Sequence, residues 1–293
     1  NTAYLFYQLR EIKDSTEISI LTKAIDITAK SYQHILKTMK PGMTEKSVVE
    51  IFKQKQSELG AQSTSFIQAG SGHNGTNIHA RVTDKIIEKG ELVVFDAGAW
   101  YQGYTSDISR TYPAGGKFTK NQKEIYQLVL TAQKAGIDKM KPGQIMYEVQ
   151  KTVEDVLVEG LFRLGLITDV SSEWQRQLYL VHGYYHYIGL DIHDLYPFMH
   201  REIKTKKYQP GMVMTMEPGL YFPAGLLDKK PARAGDLSDE EFNEFVKATR
   251  DNYKKYENMA VRIEDDVLIT ENGNLVLSGS VPKEIKEIEK IMK

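Results

Sequence analysis

The chain reads as an α+β fold built from two pseudo-symmetric αβ halves, and three observations predict it. Amphipathic helical stripes alternate with short strand-like runs. The tetrapeptide Met39-Lys40-Pro41-Gly42, with a helical pattern on either side, recurs as Met140-Lys141-Pro142-Gly143 between a second pair of helical patterns. Each pair is followed by paired strand-like segments that carry acidic residues.

The first stripe runs from Ser15 to Met39 through Ile18, Leu21, Ile25, Tyr32 and Ile35, and it stops where Pro41 cannot continue the hydrogen-bond ladder. A second helix follows from Thr44, with Val48, Ile51, Phe52 and Leu59 on one side. Extended segments are expected at Ser65–Gln68 and Asn77–Arg81, separated by a turn over Gly70–Gly75. Leu92–Trp100 and Tyr104–Tyr112 read as a hairpin around Gln102-Gly103. In the second half, Thr119 and Gln122 form a capping box opening a helix with Ile125, Leu128, Val129 and Ala132 inward. The next helix carries Ile145, Val149, Val153, Val156 and Leu161. Met212–Phe222 and Met259–Thr270 read as another strand pair with a long insertion between them. In that insertion Ser238–Glu241 is a capping box, and Phe242, Phe245, Val246, Thr249, Tyr253 and Tyr256 form a stripe. A surface helix covering a neighbouring groove is the expectation there; a lid or an oligomer contact is the alternative.

Composition narrows the function classes. A chain of 293 residues, 41% hydrophobic and 26% charged, can bury a large core in one domain or two fused halves. A net charge of −1 provides no Lys/Arg field for nucleic acid or an anionic membrane. Without cysteine there are no disulfides, thiol nucleophiles or thiolate metal sites. No apolar run reaches membrane-spanning length. A chain that starts at Asn1 rather than Met reads as a fragment or a processed product, and a cytoplasmic location is expected.

Five residues could carry chemistry together: Asp96 in VVFDAGAWY, Asp107 in YTSDISRTYP, His186 in HGYYHYIGLDIHD, Glu217 in GMVMTMEPGLY and Glu264 in VRIEDDVLIT. Four carboxylates and one imidazole suit two adjacent divalent metals held by hard ligands, with Mn²⁺ favoured and Zn²⁺ or Co²⁺ as alternatives. If they do not converge, they are ordinary surface and turn residues. Asp96 and Asp107 fall near mirror positions across the hairpin, where like charges need a bridging cation. Asp96 also follows the apolar run Leu92-Val93-Val94-Phe95, and a buried charge needs a partner. His182 and His186 are spaced to share a face in a helix or a strand. Arg262 shares the face of Glu264 in a strand and could orient a carboxylate, or form a solvated ion pair worth little.

These motifs, in this order, resemble the pita-bread metallopeptidases: aminopeptidase P, prolidase and methionine aminopeptidase. The resemblance covers the chain from about Leu9 onward. It implies a pita-bread fold around a curved antiparallel sheet, with residues 9–293 as the catalytic domain and 1–8 as a linker or remnant of an N-terminal domain. It implies that Asp96 binds one metal, that Asp107 and Glu264 bridge both, and that His186 and Glu217 complete the second site. His182 and His193 match histidines that contact the scissile carbonyl, and His79, in GTNIHARV, one that positions substrate. A further catalytic role as proton shuttle is expected of Glu217, and Tyr221 and Arg262 match supporting groups around the metals. The HGxxHxxGLDxHD and RIEDD forms look like aminopeptidase P, which implies a peptide substrate with penultimate proline. Prolidase is the alternative, and a catalytically silent binding module on the same fold is the third. A homo-oligomer is compatible with the resemblance. Tyr184, Tyr185, Tyr187 and Tyr221 are candidates for an aromatic wall facing the proline.

Overall fold

The computed structural model describes residues 2–194, 203–232 and 235–293. After a short helix α1 (Thr2–Glu11), helix α2 (Ser15–Thr38) is opened by a capping box between Asp14 and Glu17. Thr44 caps α3 (Glu45–Glu58) through the Ser47 amide. Ile25, Tyr32 and Ile35 of the buried stripe of α2 lie against the first sheet, whereas Leu21 packs with Ile188, Val213 and Leu268 of the second half. That sheet contains β1 (Ser63–Ser71), β2 (Leu92–Tyr101), β3 (Tyr104–Thr105) and β4 (Ile108–Pro113), all antiparallel, with β2 paired to the other three. The expected extended segment at Asn77–Arg81 is not a strand. Strand β1 instead continues through Gly70 and Ser71, and the chain then turns through a 3-10 helix at Gly72–Thr76.

The second half repeats the plan. Helix α4 (Lys120–Lys139) begins at the Thr119/Gln122 capping box, and α5 (Met146–Arg163) follows the second MKPG turn. Both turn glycines are left-handed, Gly42 at φ 93° and Gly143 at φ 83°, a conformation that a Cβ would penalise. The two turns also make matching backbone bonds. Gly42 N–H donates to Ile87 and Glu45 N–H to Lys85, while Gly143 N–H donates to Tyr208 and Met146 N–H to Lys206. Strand β2 follows Ile87 at the same remove as β5 (Val213–Met216) follows Tyr208, so Asp96 and Glu217 occupy equivalent positions. The repeat is therefore structural.

The second strand pair is interrupted where a continuous hairpin was expected. Strand β5 pairs with β8 (Asp265–Thr270), β6 (Gly219–Tyr221) pairs with β7 (Ala260–Arg262), and β9 (Gly273–Val276) adds to β8. One register runs through the break: Met216 faces Asp265 and Gly219 faces Arg262, which sets Glu217 opposite Glu264.

A short helix α6 (Glu173–Gln177) packs beside the insertion helix α7 (Asp239–Tyr253), and α8 (Ile285–Ile291) closes the chain. The Ser238/Glu241 capping box is formed, and the buried face of α7 covers Trp174, Tyr179 and Phe222. None of its residues lines the acidic cleft described below. Among the described residues, no helix is long and apolar enough to cross a membrane.

Tyr32 ties α2 to the sheet. Its ring packs edge-on against Phe52 and Phe95, and its fully buried hydroxyl donates to the carbonyls of Phe95 on β2 and Ile108 on β4. Tyr32→Phe removes that donor and keeps the ring, so equilibrium urea unfolding is expected to show a loss of about 1–2 kcal/mol.

Candidate metal centre

Asp96 points from the middle of β2 into a cleft of about 720 Å³, opposite Gln68 on β1 and Ser109 on β4. Its Oδ2 accepts from Arg262 Nη2 at 2.5 Å, while its Oδ1 is buried without a partner. Asp107 lies in the gap between β3 and β4. The register places it two positions from the residue facing Asp96, so the carboxylates are diagonal neighbours on one face rather than mirror partners. The Asp107 amide donates to Asp266 Oδ2 at 3.1 Å, and its own Oδ1 is also buried and unpaired.

Glu217 and Glu264 come from the facing gaps of the second sheet. Glu264 Oε2 accepts from Ser109 Oγ at 3.0 Å, Ser109 in turn accepts from Arg262 Nε at 2.8 Å, and Glu264 Oε1 is buried and unpaired. Behind them, fully buried Arg110 donates to the carbonyls of Ser109 and Glu264 and to Asp265 Oδ1 at 2.7 Å. Lys283 Nζ reaches Asp265 Oδ2 at 2.6 Å.

His186 belongs to neither a helix nor a strand, contrary to the expectation for its pairing with His182. The segment from His182 to Asp194 is irregular, and it is pinned to β5 by backbone bonds from Ile188 to Val213 and from Thr215 to His186. His186 Nδ1 lies 3.0 Å from the Tyr187 carbonyl, which places the ring proton there. Its Nε2 lone pair faces Asp107 at 3.4 Å, Glu217 at 3.5 Å and Glu264 at 3.8 Å. One ligand atom each from Asp107, His186 and Glu264 lies within 4.8 Å of the others. All five expected ligands therefore converge.

The electrostatics show what the cluster lacks. Burial, then the charge of Asp96, pushes Asp107 well above the usual carboxylate range, and burial followed by Asp107 does the same to Glu264. Burial raises Glu217 against the pull of His186 and Arg262. Three buried carboxylate oxygens without hydrogen-bond donors, beside an imidazole lone pair and without any thiolate, fit hard divalent cations.

Around the acidic floor stand three histidines. Arg262 Nη1 donates to the Tyr221 hydroxyl at 2.8 Å, so the Tyr221 proton is directed to His182 Nε2 at 3.0 Å, and His182 Nδ1 donates to the Gly183 carbonyl at 2.6 Å. Burial, reinforced by Arg262, lowers His182 to about 4. His193, whose ring centroid is 4.3 Å from that of His186, is lowered to about 4 by burial and then by His186. Both are neutral near pH 7. His79 lines the same cleft from the exposed loop after the 3-10 helix.

The expected tyrosine wall is only partly present. Tyr185 lines the cleft, but Tyr184 faces a separate polar cavity, Tyr187 donates to Glu11 and Tyr221 is engaged with Arg262 and His182. The apolar surface comes instead from Phe66, Ile78 and Ile192, which sequence reasoning missed. Phe66 and Gln68 share the β1 face that opposes Gly98 and Asp96, so alternation plus register would have found Phe66. A groove of about 760 Å³ beside α4 and α5 contains none of these residues.

Residues 19–271 match the family described as metallopeptidase family M24. The chain belongs to that family. It is 33% identical over 291 residues to an Xaa-Pro aminopeptidase of Escherichia coli, covering 98% of this chain and 60% of the relative. It is 31% identical over 309 residues to a human Xaa-Pro dipeptidase, covering 97% and 60%. A substrate complex of an E. coli aminopeptidase P variant superposes with a TM-score of 0.83 at 32% identity, covering 98% of this chain and 61% of that one. The pita-bread architecture is thereby established. The chain spans about 60% of the length of these curated relatives.

A pH dependence follows from the raised carboxylates. A carboxyl whose pKa is higher in the folded than in the unfolded state binds its proton more tightly when folded, so its contribution is fully present below the unfolded pKa and is lost as pH rises toward the folded value. Metal-free protein is expected to melt lower at about pH 7.5 than at about pH 5, with a divalent cation reversing the order. Differential scanning calorimetry of chelated and reconstituted samples tests this; equal pH dependence in both would contradict it.

Proposed function

We propose that this chain is the catalytic unit, over residues 9–293, of a dinuclear metal-dependent aminopeptidase that removes the N-terminal residue from peptides with proline second. The observation that carries the reading is the convergence of five metal-compatible side chains, with unpaired buried oxygens, beneath three histidines in one cleft. The Xaa-Pro aminopeptidase relative supports the substrate class.

In this reading Asp96, Asp107, His186, Glu217 and Glu264 would together hold two divalent ions. Mn²⁺ is the preferred ion for so carboxylate-rich a set, with Zn²⁺ and Co²⁺ as competitors. When bound, the ions supply Lewis acidity and water activated near neutral pH. Glu217 carries a proton toward the leaving nitrogen. As neutral imidazoles, His182 and His193 donate N–H to the carbonyl oxygen as it gains charge. His182 does so only by exchanging its bond to Gly183 or Tyr221. His79 helps position the peptide, and Arg262 with Tyr221 holds Asp96 and His182 in place. Phe66, Ile78, Ile192 and Tyr185 offer the apolar surface that a proline ring without an N–H requires.

A prolidase is the second reading, favoured by the human Xaa-Pro dipeptidase relative of similar identity. Protein stripped by a chelator and reconstituted with Mn²⁺, Zn²⁺ or Co²⁺ is assayed on Xaa-Pro-Yaa tripeptides and Xaa-Pro dipeptides. Tripeptide turnover is expected. Activity on dipeptides alone establishes prolidase, and none with any metal leaves a silent binding module.

Asp107→Ala removes one of the four cleft carboxylates. Elemental analysis is expected to show loss of paired-metal binding, and turnover should drop by more than about 100-fold, the upper range for changes outside the ligand set. Two metals retained per chain would overturn the ligand assignment.

A further inference from the structure

The loop that carries His193 is gripped by a segment lying before the region matched by the family. We propose that Arg10 and Lys13 are positioning residues that set the place of His193 in the cleft; this rests on the peptidase reading above.

The loop is closed on itself between Tyr187 and Asp194. The Asp194 amide donates to the Tyr187 carbonyl at 2.9 Å, and the Gly189 amide to the Asp191 carbonyl at 3.2 Å. Gly189 permits the closure, because a Cβ there would stand 2.4 Å from Asp194 Oδ2. Asp191, Ile192 and His193 project from the closed loop into the cleft.

At the centre of the grip are two charges held out of water. The Asp194 side chain is 1% exposed and faces Lys13 Nζ at 3.3 Å, which is also 1% exposed. Arg10 Nη2 meets the other Asp194 oxygen and reaches Asp191 Oδ2 at 2.6 Å. At the start of the loop, the Tyr187 hydroxyl donates to Glu11 Oε1 at 2.7 Å, and Glu11 is paired with Lys206 at 2.7 Å. The Lys13 amide donates to the Gly211 carbonyl at 2.9 Å, which fixes the segment to the lead-in of β5. Both ends of the loop are thus tied to three residues, Arg10, Glu11 and Lys13, within one four-residue stretch. Removing one cation leaves Asp194 buried with incomplete compensation, and the loop must move to rehydrate it. His193 directly precedes Asp194, so it moves with it. The four ligand carboxylates hang from the two sheets instead.

The test compares Arg10→Ala and Lys13→Met with wild type and with Lys13→Arg, each reconstituted with Mn²⁺ and assayed on an Xaa-Pro-Yaa tripeptide. Misplacing a catalytic donor by an ångström is worth about 100-fold, so kcat is expected to fall by about that factor while KM stays within about threefold. Bound metal per chain should be unchanged, and Lys13→Arg should restore most of kcat. Amide hydrogen exchange over residues 187–194, read by mass spectrometry, should quicken in both charge-removing variants. Arg10 is 30% exposed, so Arg10→Ala decides the matter even where Lys13→Met fails to fold. An unchanged kcat, or a fall that tracks metal loss, overturns the proposal. If wild type cleaves no Xaa-Pro peptide, the peptidase reading fails by itself; exchange then decides the grip, and unaltered protection of the loop sinks it.

Discussion

Four carboxylates share one buried cleft into which, among the described residues, Arg262 is the one arginine that reaches, and the rest of the structure is arranged around holding that repulsion still. A lone buried carboxylate is costly, and neighbouring ones raise the cost for each other. The fold answers in layers. Arg262 directs the nitrogens of its guanidinium to Asp96, Ser109 and Tyr221, so one cation braces a cleft carboxylate, the serine facing it and the link to His182. Behind the cleft, Arg110 and Lys283 neutralise Asp265 and draw in the backbone beside Glu264. That charge is matched inside the protein, whereas the charge at the cleft floor is left for an external cation.

Strand geometry explains why the acidic side chains of the cleft stand where they do. Asp107, Glu217 and Glu264 all lie in gaps between paired strands, while the register on either side continues unbroken. An interrupted ladder frees the backbone locally without shifting the side-chain alternation, so facing carboxylates keep a common side. The strands fix direction and the gaps provide room to approach. His186 reaches the same point by another route, from an irregular loop oriented through Thr215 and the Tyr187 carbonyl.

What was legible in the sequence was local chemistry. The capping boxes at Thr119 and Ser238, the helix stops at Pro41 and Pro142 and the acidic residues set in apolar runs are each decided within a few residues, and each was found where expected. The two-residue offset of Asp107 from the position facing Asp96 was hidden because register depends on the whole sheet. The conformation of His182–Asp194 was hidden because spacing alone presumes a regular element. Phe66 and Ile192 were missed as cleft walls because an apolar side chain looks the same in a core and in a pocket until the neighbours are known. Nothing in the local sequence sets Arg10 and Lys13 apart, and only the fold brings them to Asp194.

The matching of Asp96 with Glu217 extends to their partners across the strands, and there it fails in an instructive way. Ser109 faces Asp96 where Glu264 faces Glu217, and Asp107 occupies the place that Arg262 holds in the other half. An assembly of two identical subunits would carry each of these side chains twice, producing either a surplus of acids or a surplus of arginines around one axis. Joining the halves in a single chain lifts that restriction: the charge at the centre can be adjusted one side chain at a time, and the two sides of the cleft need not offer the same surroundings.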